Sequence, residues 1–153
     1  MLRKILIGLV IVLIVIQFIQ PEKNQSTDHS KDIRTVYAIP AEVQAVLKQS
    51  CYDCHSNYTT YPWYSRIQPV AWWLQHHIDE GKEHLNFSEF ASYTPKKQAH
   101  KLEETAELVE NGEMPLNSYT WMHAGAKLSK EQAVLLTDWA NGLRKDILSN
   151  SKL

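Results

Sequence analysis

Apolar residues return at three- and four-residue spacing in four stretches of this chain, and no stretch shows the two-residue alternation of a strand. The pattern predicts four helices and an all-α fold. The first runs from Pro40 to about Ser50, with Val43, Val46 and Leu47 on one face, and leads straight into Cys51. The second runs from Gln68 or Pro69 to His84 and carries Val70, Trp73, Leu74, His77, Ile78 and Leu85, with Pro69 in its first turn. The third opens on Thr94-Pro95, a cap followed by proline at the first helical position. Its stripe is Leu102, Ala106 and Val109, and Gly112 suits its C-terminal cap. The fourth begins at Ser129 with Gln132 three residues on, a capping-box pattern. Leu135, Leu136, Trp139, Ala140, Leu143 and Ile147 trace its face, and Leu128 is placed to staple onto it.

A fifth stretch is apolar on every side. Ile5 to Ile19 is broken only by Gln17 and follows Arg3 and Lys4. A basic start before an apolar run is an export signal. As a helix it is about 22 Å long at ~1.5 Å per residue, short against a hydrocarbon core of about 30 Å, although Arg3 and Lys4 can snorkel. The exit, Gln17 to Lys23, is bulky and contains Pro21 instead of the small residues of a cleavage site, and no lipoprotein cysteine follows. An uncleaved signal anchor, a transmembrane helix over 1–20, is therefore expected. Arg3 and Lys4 would lie inside and everything after residue 20 outside. Residues 21–34 are polar without an apolar period and read as a flexible linker. Residues 35–150 then form one domain around one core.

Charge narrows the partners. The 153 residues carry a formal net charge of −1, and no basic stripe suggests nucleic acid. The candidate chemistry sits at Cys51-Tyr52-Asp53-Cys54-His55, which holds both cysteines of the chain. C-x-x-C-H is the attachment signature of c-type haem. The thiols would form thioethers with the two vinyl groups, and His55 would be the proximal iron ligand. Other readings are a zinc site completed by His76, His77 or His123, a thioredoxin-like redox pair and a simple disulfide. No βαβ pattern surrounds Cys51, and no histidine pair has zinc-finger spacing. Export favours one covalent haem c, because attachment takes place on the outer face of the bacterial cytoplasmic membrane, where the c-type maturation machinery works. The expected location is a single-pass protein of that membrane with its haem domain facing the periplasm. A short helix leading to C-x-x-C-H and a long terminal amphipathic helix give the layout of a small cytochrome c-like domain.

A six-coordinate iron needs a distal ligand. Met114, in Gly112-Glu113-Met114-Pro115, is the first candidate, and Met122, His123 and His77 are its rivals. Sequence spacing does not choose among them. His29, His84 and His100 read as surface residues. Tyr58, Tyr61, Trp63, Tyr64, Trp72 and Trp73 read as core packing or as a wall against the porphyrin edge. Arg66 is a candidate partner for a propionate. A backbone carbonyl at Pro62 or Pro69 is a candidate acceptor for the second nitrogen of His55.

Taken together, these segments resemble the bacterial haem-binding domain family of small C-x-x-C-H proteins. The resemblance spans roughly Ile39 to Ala140. It rests on Cys51 to Asn57, Tyr61-Pro62-Trp63-Tyr64, Pro69 to Leu74, Asn86 to Phe90, Gly112 to Pro115 and Ala126 to Ser129. It implies covalent haem and an envelope location but brings no assigned reaction. The leading expectation is a monohaem electron carrier that meets redox partner proteins of the envelope, with no catalytic residues. The alternatives are a peroxidase-like haem enzyme, a redox or gas sensor with a displaceable distal ligand, and a structural domain stapled by haem or zinc.

Overall fold

The computed structural model describes residues 1–151, and all regular structure among them is helical. Seven α-helices follow in order: α1 Leu2–Ile16, α2 Ala41–Ser50, α3 Tyr52–His55, α4 Val70–His84, α5 Pro95–Glu110, α6 Asn117–Met122 and α7 Lys130–Asn150. The capping chemistry read from sequence is in place. Thr94 accepts from the Lys97 backbone at the start of α5. Ser129 and Gln132 form a reciprocal capping box on α7, satisfying two otherwise orphaned backbone donors.

The core lies where α5 packs along α7 and α2 packs against α7. Leu47, Leu102 and Leu136 meet there with Phe87, Phe90 and Ile33 from flanking 3-10 turns, all essentially inaccessible to water. Leu128 packs against this cluster, as a staple should. Helix α4 stands outside the cluster and packs instead on α3 and on the 3-10 turn Trp63–Arg66. It forms the second wall of the site.

Several expectations need correction. The buried stripe of α4 is Ala71, Leu74, Gln75 and Ile78, whereas Val70 and Trp73 are exposed. The aromatic-rich stretch is not core: Trp63 is 78% exposed, and Tyr58, Trp72 and Trp73 also face water. Helix α6 was not foreseen, because six residues without an apolar stripe carry no period to read. The supposed flexible linker is laid against the domain. Asn24 is buried; its Nδ2 donates to Ser56 O at 2.8 Å and Thr59 Oγ1 at 2.9 Å, and its Oδ1 accepts from Lys82 Nζ at 2.7 Å. Gln25 forms an isolated antiparallel bridge with Tyr58, and Ile33 enters the core. Polarity marked this segment as loop, but its polar groups are spent on internal hydrogen bonds. Helix α1 has 15 residues, none of them buried. Among the described residues no helix is long and apolar enough to cross a membrane, so helix length gives the expected anchor no support.

Candidate functional site

The C-x-x-C-H motif is a single helical turn. Helix α2 ends as Cys51 donates its N–H to Leu47 O, and α3 begins at once, with Cys54 N and His55 N both donating to Cys51 O at 3.2 and 2.9 Å. That turn places Cys51, Cys54 and His55 on the wall of one cavity of about 480 Å³. This volume falls within the ~300–1,000 Å³ typical of cofactor sites. The opposite walls come from α4, through His77, Glu80, Gly81 and His84, and from α5, through Lys101, Thr105, Leu108 and Val109. Met114, Pro115, Leu116 and Tyr119 close the remaining side, with Leu85, Phe87 and Leu128 completing an apolar interior.

The donor set fits a haem. His55 Nδ1 lies 3.0 Å from Leu85 O. A carbonyl only accepts, so Nδ1 carries the hydrogen and Nε2 keeps a free lone pair. Burial lowers the imidazole pKa, outweighing the hydrogen bonds to the Leu85 and Gly81 backbone. The ring is therefore neutral near pH 7, as an iron ligand must be. The orienting carbonyl comes from Leu85, at the end of α4, rather than from Pro62 or Pro69 as expected. Both cysteines are free. Burial, reinforced by Cys54, pushes the Cys51 thiol up to about 12; burial, reinforced by Asp53, pushes Cys54 up to about 11. Without a metal such thiols stay protonated, unlike the exposed thiolates of reactive redox pairs. Among the described residues no three His, Cys, Asp or Glu side chains converge on a metal-binding point, so the zinc reading lacks its remaining ligands.

The candidates for the distal position separate. Met114 and His77 both line the cavity with His55. Met122 is 60% exposed. His123 stacks on Tyr119 at 4.3 Å and borders a smaller void behind Asp53 and Cys54. Met114 is held by the turn that ends α5. Gly112 adopts φ +71°, a left-handed conformation that glycine takes without penalty. Glu113 N and Met114 N then both donate to Leu108 O at 2.9 and 3.1 Å. His77 stands edge-on to Trp73 at 4.6 Å, with Nδ1 3.7 Å from Glu80.

Arg66 and the aromatics of 58–73 do not line this cavity. The cation at its wall is Lys101, paired with Glu104 at 2.6 Å. Lys101, Thr105 and Leu108 recur at helical spacing beside the buried stripe of α5, a signal that a sequence reading could have used. Tyr119 carried no such signal. Its hydroxyl donates to Asp53 Oδ2 at 2.7 Å, tying α6 to one of the two residues between the cysteines.

Gly81 sets how closely α4 approaches α3. A Cβ there would meet Cys54 O at 2.8 Å and Cys54 Cβ at 3.1 Å. Neither is the tip of a flexible side chain, so the helix must move. Gly81→Ala is expected to cost about 1–3 kcal/mol of overpacking, against a helix-propensity gain of about 1 kcal/mol. A lower midpoint in thermal unfolding, together with less haem per chain, is the expected measurement; an unchanged midpoint would show that this contact does not set the spacing.

A family model described as a haem-binding domain matches residues 11–142. No curated protein and no solved structure matches the chain.

Proposed function

The chain belongs to the haem-binding domain family, and from that premise we propose that it is a membrane-tethered monohaem electron carrier whose haem is held covalently. The observation that carries this reading is the helical turn that offers Cys51, Cys54 and the lone pair of His55 to one cavity. Bound there, haem supplies a one-electron couple. Cys51 and Cys54 would fasten it by thioethers, and the Leu85 carbonyl would hold the His55 ring in orientation. Met114, fixed by the Gly112 turn, would supply a soft thioether ligand, favouring reduced iron. Leu85, Leu108, Val109 and Leu116 give the interior an apolar lining that would keep water from a bound haem. Lys101 is the cation placed to meet a propionate.

Export by the Arg3, Lys4 and Ile5–Ile19 segment would place the domain outside the bacterial cytoplasmic membrane, within reach of the maturation machinery. The tether would raise its effective concentration near envelope redox partners. The second reading is an open iron serving catalysis or sensing. It is favoured by His77 and Glu80, two titratable side chains 3.7 Å apart on the same wall that would be available to a substrate there. Carbon monoxide separates the two. The reduced protein, matured with its haem, is expected to keep its visible spectrum under carbon monoxide, because a closed iron has no free position. Rapid spectral change would instead give the second reading.

A further inference from the structure

We infer that residues 60–73 form a lipid-contacting collar at the base of α1, so that the domain lies on the bilayer surface instead of hanging free of it. The inference rests on the membrane tether proposed above. Its first support is attachment. Gln68 N donates to Gln17 Oε1 at 2.9 Å, and Gln17 Nε2 donates to Gln68 O at 3.2 Å. Ile19 O accepts from Gln68 Nε2 at 2.7 Å and from Trp72 Nε1 at 3.0 Å, while Gln20 Nε2 donates to Arg66 O at 3.2 Å. The chain leaving the apolar helix is thus bonded to this segment along its length.

The second support is exposure. Trp63, Ile67, Val70, Trp72 and Trp73 are all exposed, and so are Phe18 and Ile19 beside them. Apolar rings concentrated in one segment mark an interaction surface. Tryptophan prefers the boundary between lipid and water, where its ring is buried and its N–H stays bonded. Trp72 already satisfies its N–H on Ile19 O, which leaves the ring free for lipid. The third support is charge: residues 60–73 contain no acid and one base, Arg66, which is exposed. That composition suits a surface facing phosphate headgroups and argues against a basic or acidic protein partner.

The collar also accounts for the length of α1. Fifteen residues span about 22 Å at ~1.5 Å per residue, some 8 Å less than a hydrocarbon core of about 30 Å. Phe18, Ile19 and the collar rings lie in the layer where that shortfall falls.

The test uses the full holoprotein with vesicles of phosphatidylcholine and phosphatidylglycerol that carry a photoactivatable acyl chain. Adducts are mapped by mass spectrometry after flotation. The expected result is labelling of both α1 and residues 60–73, severalfold above that of α7. W63S/W72S should keep its haem spectrum and still float but lose most of the adducts in 60–73. Flotation with adducts confined to α1 would overturn the collar while leaving the tether standing, as it would if a protein covered these rings. Failure to float would overturn both.

Discussion

C51S/C54S is expected to lose all of the haem that survives denaturation. Serine keeps the shape of the turn but cannot form a thioether, so haem held by His55 and the cavity alone should leave when the chain unfolds. The check is a visible spectrum in guanidinium followed by gel filtration, comparing the double variant with each single one. C51S and C54S should each retain one thioether and remain coloured after unfolding. Both cysteines line the same cavity and neither is in a disulfide, so no other bond of theirs masks the effect. Colour that stays with the unfolded double variant would sink covalent attachment through this pair.

Met114→Ala is expected to open the iron. The haem should stay attached, the spectrum should turn high-spin, and carbon monoxide should bind. Met114 is only partly buried against the core, so the stability loss should fall near the lower end of the ~2–5 kcal/mol seen for methionine truncation. His77 lines the same cavity and can take the vacated position. In that case the site stays closed to carbon monoxide and its potential falls, because imidazole favours oxidised iron more than thioether does. Adding His77→Ala then restores carbon monoxide binding. If Met114→Ala changes neither spectrum nor potential, the native ligand is not Met114.

Helices whose apolar residues recur with a clear period were legible from sequence. The capping chemistry of α5 and α7 appears where Thr94, Ser129 and Gln132 place it, because caps are local hydrogen bonds between residues a few positions apart. Along α4 the period was correct, and Leu74, Ile78 and Leu85 are buried as expected, but Val70 and Trp73 are not. Trp73 was counted as core because it is apolar, yet it is exposed, and Gln75 takes a buried position because Tyr61 donates to it at 2.7 Å. Hydropathy carries no record of such a pairing. That Cys51, Cys54 and His55 share one wall of the cavity was legible for the same reason as the caps: they occupy one turn. Its far wall was not. Lys101, Thr105 and Tyr119 reach the cavity only through the placement of α5 and α6, contacts between residues some 50 or more positions from the motif. The carbonyl that orients His55 belongs to Leu85, thirty residues on, and nothing in its identity marks a backbone acceptor.

Asn24 decides where this chain can be cut. Its backbone N–H donates to Tyr61 Oη at 2.7 Å, its carbonyl accepts from Thr59 N at 2.9 Å, and its side chain joins Ser56, Thr59 and Lys82. A protease acting between Gln20 and Lys23 would shed the haem domain with this knot intact. Cleavage only a few residues later would strip the loop behind His55 of these bonds and leave it those to Asp53, Asn86, Ser88 and Glu89. A released form that keeps its native ligand spectrum, as distinct from its covalently held colour, is expected to begin no later than Asn24.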